Sequence, residues 1–115
     1  MNEACVFCGV AAGAIDADVV HADDRVVAFR DIAPKAPVHV LIIPRDHIAS
    51  VDHLTDADAA TVGNMVEVAR DVARAEGLTD DGYRLVINTG PAAGQTVPHL
   101  HIHLLGGREL GWPPG

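Results

Sequence analysis

The segment His99-Leu100-His101-Ile102-His103-Leu104-Leu105 alternates three histidines with three large apolar residues. Side chains on a β-strand point to opposite faces in turn, so this pattern predicts a strand over His99–Leu105 with imidazoles on one face and a core on the other. Alternate residues lie about 6.5–7 Å apart along a strand, so neighbouring imidazoles can contact one small ligand. Because an unperturbed imidazole has a pKa of about 6.5, such a row suits nucleophilic or acid–base chemistry near neutral pH.

Three interpretations of this histidine row are open: a solvated polar face, a metal site on the strand, or metal-free catalysis by histidine. The preceding residues favour the last of these. The loop Gly90-Pro91-Ala92-Ala93-Gly94-Gln95-Thr96 is rich in glycine and small side chains. Such a loop can turn backbone N–H groups toward an anion, with the Gln95 and Thr96 side chains as further donors. It lacks the Gly-Lys-Ser/Thr sequence of the Walker A phosphate loop.

The charge of the chain limits its partners. Over 115 residues the formal net charge is −8, and Lys35 is the single lysine. This balance argues against nucleic acids and anionic membrane surfaces as partners, since both are bound mainly through basic side chains. No apolar run approaches the roughly 20 residues that span a bilayer. The first four residues lack the basic start of a signal peptide, so we expect a cytoplasmic protein.

Hydrophobic periodicity predicts a single α+β domain over residues 1–115. Thr55 is the predicted N-cap of the one long helix, with Asp58 completing a capping box and Gly77 ending the helix. Its predicted core face comprises Val62, Met65, Val66, Ala69 and Ala73. A short N-terminal helix is expected within residues 6–14, and a proline-containing loop over residues 33–37. Strands are predicted over Arg25–Phe29, Val38–Ile43, Tyr83–Asn88 and His99–Leu105.

The two cysteines form a Cys5-x-x-Cys8 pair, which is half of a tetrahedral zinc site. Seven histidines could supply the other ligands, and spacing alone does not choose among them. A redox pair and two unlinked buried thiols are the alternatives. A thioredoxin-type redox site would need a strand before the motif, for which four residues leave no room.

Beyond the histidine row, the chain resembles the histidine triad (HIT) superfamily. The resemblance rests on Phe29-Arg30-Asp31-Ile32, on residues 36–48, on Gly94-Gln95-Thr96-Val97-Pro98, and on the tail from Leu105-Gly106-Gly107-Arg108 through Gly111-Trp112-Pro113-Pro114-Gly115. This ending is similar to that of the branch of histidine triad nucleotide-binding proteins, which are purine nucleoside phosphoramidases. The resemblance implies a HIT-like fold with an antiparallel sheet of about five strands. It also implies a homodimer in which the C-terminal tail, including Trp112, crosses to the partner.

The resemblance further implies a mechanism and a set of roles. His101 matches the histidine that attacks the α-phosphorus of a nucleotide and forms a nucleotidyl-histidine intermediate. His103 and Thr96 match the groups that hold the phosphoryl oxygens and assist the leaving group, and His39 matches a supporting histidine. Residues matching nucleotide contacts are Asp31 and Ile32 at the ribose, Asn88, Gly94 and Gln95 at phosphate and ribose, and Phe7, Phe29 and Leu41 at the purine.

For the metal, the resemblance implies that His47 and His99 join Cys5 and Cys8 around a structural zinc ion, with no catalytic metal. The implied activity is hydrolysis of the P–N bond of purine nucleoside 5′-phosphoramidates, adenosine being preferred. Two alternatives stay open: a dinucleoside polyphosphate hydrolase, and a nucleotide-binding interaction module with incidental activity. Glutamine stands at the position of His103 in the nucleotidyltransferase branch, so a transferase is not expected.

Overall fold

A computed structural model of the chain describes residues 4–115; residues 1–3, part of the segment considered above for an export signal, lie outside the described range. The helices are α1 (Val6–Ala11) and α2 (Ala59–Ala75), and the strands are β1 (Val19–Ala22), β2 (Val26–Arg30), β3 (Val38–Pro44), β4 (Tyr83–Val86) and β5 (Ile102–Gly106). The strands form one antiparallel sheet in the order β1-β2-β3-β5-β4. The predicted α+β class is therefore confirmed, with five strands, one long helix and a short N-terminal helix.

The two faces of the sheet carry different chemistry. Helix α2 packs against β2, β3 and β5, where Leu100, Ile102 and Leu104 are almost completely buried. On the opposite face, α1 packs with Phe29, Leu41 and Ile43 in a second apolar cluster. The alternation predicted from the histidine row is thus confirmed, because the apolar residues face α2 and the histidines face the side of α1. Within residues 4–115, no helix combines the length and apolarity needed to cross a bilayer.

Strand β5 begins at Ile102, so the prediction of a strand from His99 was wrong at its start. The register pairs Ile42 with Ile102 and, continued, would bring Leu100 opposite Pro44, which has no N–H to offer a ladder. The Leu100 N–H donates to the Ile48 carbonyl instead, at 2.6 Å. The alternation of side chains persists through this irregular segment, and with it the division between the two faces.

Helix α2 departs from its predicted core face at one position. Met65, Ala69 and Ala73 are buried and Val62 is half-buried, but 43% of Val66 is exposed. The buried positions on the adjoining side of the helix are Val68 and Val72.

The predicted end of α2 at Gly77 is confirmed, with a φ of 73° just beyond the helix, but the predicted start was wrong. Thr55 and Asp58 form their capping box on a short 3-10 helix, Asp56–Asp58, where the Asp58 carboxylate accepts the Thr55 backbone N–H at 2.9 Å. The N-cap of α2 itself is Asp58.

Two strands at the sheet edges also differ from the sequence prediction. Strand β4 ends at Val86 rather than Asn88. Strand β1 was not identified from the sequence, because its four residues are only half-buried and show no clear alternation. Neither difference moves a predicted site residue to the other face of the sheet.

Candidate active site and metal centre

His101 is held by a main-chain hydrogen bond that defines its tautomer. Its Nδ1 atom lies 2.7 Å from the His99 carbonyl oxygen, which can only accept, so Nδ1 carries the hydrogen. In the neutral ring, Nε2 then keeps a free lone pair on the opposite edge. The Phe7 ring packs edge-on against the imidazole with centroids 5.1 Å apart, and His101 is 7% exposed. Its environment therefore favours one orientation of a nucleophilic nitrogen.

His39 and His103 form a second directed pair beside His101. The Lys35 backbone N–H donates to His39 Nδ1 at 3.0 Å, so the neutral His39 ring carries its hydrogen at Nε2. His39 Nε2 lies 2.9 Å from His103 Nδ1, which accepts that hydrogen and leaves the His103 hydrogen at Nε2. The rings of His101 and His103 are 4.9 Å apart. The site thus offers a lone pair from one histidine next to an N–H donor from the other.

Burial keeps both rings of this pair uncharged near neutral pH. It lowers the pKa of His103 to about 4, with a further contribution from the neighbouring His101 and His39. Burial also lowers the pKa of His39, and the nearby Asp31 carboxylate opposes that shift only in part. The hydrogen-bond directions given above for His39 and His103 require neutral imidazoles, and the lowered pKa values agree with that form.

The loop before the histidines is braced by Gln95. Its Oε1 atom accepts the Gly90 N–H at 2.9 Å, and its Nε2 donates to the Ala49 and Val97 carbonyl oxygens at 2.8 and 3.1 Å. The side-chain donors of Gln95 are therefore used within the protein, unlike the free donors expected from the sequence. Gly94, with a φ of 88°, adopts the left-handed conformation that the loop requires.

Thr96 has donors that the loop itself does not use. Within residues 4–115, neither its backbone N–H nor its hydroxyl has a hydrogen-bond partner, and the residue is exposed. Asn88 follows two residues after Val86, the last residue of β4, which pairs with His103. Contact of Thr96 and Asn88 with a ligand stays a prediction.

Asp31 and Ile32 follow the end of β2. Asp31 Oδ1 accepts the Ala33 N–H at 2.8 Å, which closes a local turn, and Oδ2 lies 3.5 Å from His39 Nε2. Ile32 is completely exposed. The carboxylate thus has a structural contact and still lies at the edge of the histidine site.

The three residues matched to the purine are buried instead of open. Phe7, Phe29 and Leu41 are each less than a tenth exposed, and the two phenyl rings pack edge to face at 5.5 Å. Their burial agrees equally with a purely structural role. Contact with a base stays a prediction for all three.

Cys5, Cys8, His47 and His99 converge on one point between α1, the end of β3 and the start of the histidine row. Their ligand atoms lie within 4.8 Å of one another. The Cys8 Sγ atom is 3.2 Å from His47 Nδ1, and Cys5 Sγ is 3.3 Å from His99 Nδ1. Bond lengths to zinc of 2.0–2.3 Å give tetrahedral sulfur–nitrogen separations of roughly 3.5 Å, close to these distances.

A hydrogen bond also leaves one ring nitrogen of His99 available to bind a metal. Its Nε2 lies 2.9 Å from the Pro44 carbonyl oxygen, so Nε2 carries the hydrogen and Nδ1 directs a lone pair at the two sulfurs. Burial lowers the pKa of His99, which favours the neutral ring that ligates metals. The four residues named in the sequence prediction therefore form a cluster able to hold a metal ion.

A second group, Asp31, His39 and His103, also has ligand atoms within 4.8 Å of one another. The Lys35 N–H occupies Nδ1 of His39, however, and so places the hydrogen on the Nε2 atom that would face a metal. A protonated nitrogen has no lone pair for coordination. The hydrogen bonding at these residues therefore favours proton relay over metal binding.

Comparisons with known proteins decide the family. The model of the HIT domain family matches residues 12–110 of the chain. The chain belongs to the HIT domain family. A HIT family hydrolase from Legionella pneumophila has the same fold, with a TM-score of 0.95 and 50% identity over 96% of this chain and 99% of that one. The expectation that this HIT protein is an enzyme is thereby confirmed.

Two curated relatives carry functional names. The purine nucleoside phosphoramidase of Escherichia coli K12 is 46% identical to this HIT protein over 111 residues, covering 96% of this chain and 93% of its own length. The 14 kDa zinc-binding protein of Zea mays is 48% identical over 103 residues, covering 88% of this chain and 80% of its own.

Sequence reasoning missed the main-chain groups of the site. The carbonyl of His99 and the N–H of Lys35 define which nitrogen of each catalytic-site histidine carries hydrogen. Every residue has these groups, so no residue type in the sequence marks the two positions. Arg108, whose guanidinium donates to the Lys35 carbonyl at 2.9 Å, was included in the tail that resembles the HIT proteins but was given no role of its own.

Proposed function

We propose that this HIT protein hydrolyses the P–N bond of purine nucleoside 5′-phosphoramidates, with adenosine preferred, through a nucleotidyl-histidine intermediate. The observation that carries the proposal is the hydrogen bond from His101 Nδ1 to the His99 carbonyl, which leaves Nε2 as a free nucleophile. The name of the Escherichia coli relative supports this substrate class.

The reaction proceeds in two displacements. His101 Nε2 attacks the α-phosphorus and forms a P–N bond to the enzyme, while the bond to the substrate amine breaks. The departing amine takes a proton, for which His103 Nε2–H is the neighbouring donor. Water then attacks the phosphorus and gives a proton back to His103 Nε2, which restores the neutral ring, while the bond to His101 breaks and a nucleoside monophosphate is released. Because imidazole is also a good leaving group, the intermediate can turn over.

The remaining predicted residues bind and orient the substrate. The free Thr96 N–H and hydroxyl donate to the phosphoryl oxygens, where negative charge increases in the transition state. Asp31 accepts hydroxyl hydrogens from the ribose beside Ile32. Asn88 donates to the substrate, and Gly94 and Gln95 maintain the shape of the loop. Phe7, Phe29 and Leu41 form the apolar surface under the purine. No catalytic metal is expected.

Incubation with adenosine 5′-phosphoramidate tests this function. Wild-type protein should release AMP, and mass spectrometry after rapid acid-free quenching should detect a chain heavier by one adenylyl group. His101→Ala should abolish both signals, whereas His53→Ala, a change at an exposed histidine outside the site, should retain them. Undiminished AMP release from His101→Ala would refute the mechanism. Faster turnover of diadenosine polyphosphates would favour the alternative hydrolase, and tight AMP binding without turnover would favour a binding module.

We also propose that Cys5, Cys8, His47 and His99 hold a structural zinc ion. The sulfur–nitrogen distances and the Nδ1 lone pair of His99 support this assignment, as does the name of the Zea mays relative. Four protein ligands leave no open position, so the ion would cross-link α1 to the residues before β5 and take no part in the reaction.

A homodimer is the third element of the proposal. Strand β4 is a sheet edge, and Tyr83, Leu85 and Ile87 along it are each more than a third exposed. Leu85 pairs with the core residue Leu104, so this apolar row continues the face that α2 covers. The Trp112 side chain is 82% exposed at the end of the chain. Both features support a partner chain that covers the edge and receives the tail.

A further inference from the structure

Arg108 lies just beyond β5 and contacts the loop between β2 and β3. Its Nη2 atom donates to the Lys35 carbonyl oxygen at 2.9 Å, and its Nη1 donates to the Glu109 carbonyl at 2.8 Å. One guanidinium therefore joins the start of the C-terminal tail to a peptide group 73 residues earlier in the chain.

Gly107 allows the tail to run close to that loop. A Cβ atom at Gly107 would lie 2.8 Å from Pro37 Cβ, and the φ of 92° is in the region that favours glycine. This approach brings the arginine within reach of Lys35, although both side chains are exposed. The contact between tail and loop is thus built from a backbone approach and a charge-assisted hydrogen bond.

The same loop carries the group that determines the tautomer of His39. The Lys35 N–H donates to His39 Nδ1 at 3.0 Å, while the prolines at 34 and 37 have no N–H to replace it. The Lys35 ammonium group is directed elsewhere, to the Ala33 carbonyl at 2.7 Å. The backbone N–H of Lys35, and not its side chain, therefore acts on the histidine site, while the carbonyl of the same residue accepts from Arg108.

The direction of the histidine relay depends on this N–H. With the hydrogen on His39 Nε2, His103 accepts at Nδ1 and donates from Nε2. If His39 instead carried its hydrogen at Nδ1, its Nε2 would accept, and His103 would have to donate from Nδ1. His103 Nε2 would then present a lone pair where a phosphoryl oxygen or leaving group needs a proton donor.

We propose that Arg108 is a positioning residue, which holds the Lys35 backbone through its carbonyl. It so keeps the N–H of the same residue directed at His39, which stays in the tautomer that donates from Nε2. The catalytic consequence rests on the proposed phosphoramidase function, whereas the tautomers are measurable without substrate. Arg108 contacts no reacting atom; it acts through Lys35 and His39 on the proton that His103 presents.

Long-range ¹H–¹⁵N spectra of protein labelled in its histidines test the tautomers directly. In the wild type, His39 and His103 should both carry hydrogen at Nε2. Lys35→Pro removes the donating N–H and should move His39 toward the Nδ1–H form. Lys35→Ala keeps the N–H and should keep the wild-type tautomers. Arg108→Ala should give a mixture of tautomers at His39, with Arg108→Lys restoring most of the wild-type signal through its remaining donor.

Kinetics supply the second readout. Because losing one hydrogen-bonded support is worth about a tenfold change in rate, Arg108→Ala should lower kcat on the order of tenfold with KM within about twofold. Arg70→Ala, an exposed arginine on α2, is the matched control and should leave kcat unchanged. Equal decreases of kcat in Arg108→Ala and Arg70→Ala would overturn the proposal.

Three spectroscopic outcomes would also overturn it: a wild-type His39 with hydrogen at Nδ1, unchanged tautomers in Arg108→Ala, or no rescue by Arg108→Lys. Should Lys35→Pro fail to fold, the two Arg108 variants decide the question alone. If no phosphoramidate is cleaved by wild-type protein, the proposed function fails, and the tautomer pattern still decides whether Arg108 controls His39.

Discussion

The carbonyl oxygen of His99 lies 2.7 Å from Nδ1 of His101, so a residue of the metal-binding cluster directly orients the proposed nucleophile. The imidazole of His99 faces the two cysteines, while its peptide group faces the neighbouring histidine. The imidazole that would bind a metal and the carbonyl that accepts from His101 are therefore different parts of one residue. This arrangement places the cluster able to hold a metal within one hydrogen bond of the proposed nucleophile.

Loss of the proposed metal should therefore destabilise the protein. Native mass spectrometry of the wild type should show one zinc ion per chain, and His47→Asn should remove it because three ligands bind zinc less tightly. The Tm should fall by roughly 4–8 °C for each kcal/mol lost. His53→Asn, a matched change outside the cluster, should retain zinc, and its Tm then measures only the loss of the His53 contact with Ser50. A metal-free wild type would contradict the assignment.

The buried histidines predict a loss of stability in acid. The pKa of His103 is lowered from 6.5 to about 4 in the folded protein, mainly by burial, and that of His39 is also lowered. As pH falls below 6.5, the unfolded chain binds protons that the folded chain does not, so the free energy of unfolding decreases. Each proton difference contributes a slope of about 1.4 kcal/mol per pH unit.

Urea unfolding at about pH 7, 6 and 5 measures this slope, and His103→Gln isolates one contribution. In this variant, the slope of the free energy of unfolding against pH should be smaller by up to the contribution of one proton. The difference should appear between pH 6.5 and pH 4, the window set by the lowered pKa of His103. An identical slope in the variant would show that His103 is not held neutral by folding.

Gln95 should contribute to stability as well as to function. Gln95→Ala removes three hydrogen bonds that hold the loop, and buried groups left without partners cost about 1–3 kcal/mol. Gln95→Glu keeps the acceptor for Gly90 but loses both donors, so its stability should also fall. Urea unfolding measures both effects, and limited proteolysis reports opening of the loop. Unchanged stability in the two variants, with weaker AMP binding, would instead identify Gln95 as a direct ligand contact.

The dimer proposal predicts different effects at the two edges of the sheet. Leu85→Lys places a charge in the apolar row of β4 and should convert a dimer to a monomer, as measured by light scattering after size-exclusion chromatography. Val19→Lys, at an exposed position on the opposite edge strand β1, is the matched control and should remain dimeric. A monomeric wild type, or equal dissociation of both variants, would contradict the proposed interface.

The histidine row shows which structural features a local sequence pattern can predict and which it cannot. Leu100, Ile102 and Leu104 are buried under α2 as predicted, because a period of two places them on one face regardless of where the ladder begins. The predicted starting residue was wrong, since Pro44 on the neighbouring strand offers no N–H there. That outcome depends on the pairing register, which a single segment does not contain.

Helix α2 also has features that its local sequence predicts and one that depends on tertiary packing. Its end at Gly77 is a local feature and was predicted correctly, as was the capping box of Thr55 and Asp58, although that box caps the 3-10 helix before α2. The exposure of Val66 was not, because a helix of small and branched residues can turn slightly about its axis and bury Val68 and Val72 instead. The position of the sheet determines that rotation.

At the site, residue types and spacing alone were sufficient to predict the histidine row, a candidate anion-binding loop and half of a candidate zinc site. The resemblance to HIT proteins supplied the other two ligands and the role of each histidine. Only the tertiary structure decided which nitrogen carries hydrogen, because the groups responsible are the His99 carbonyl and the Lys35 N–H. Every residue carries such groups, and only folding determines which of them meet a given imidazole.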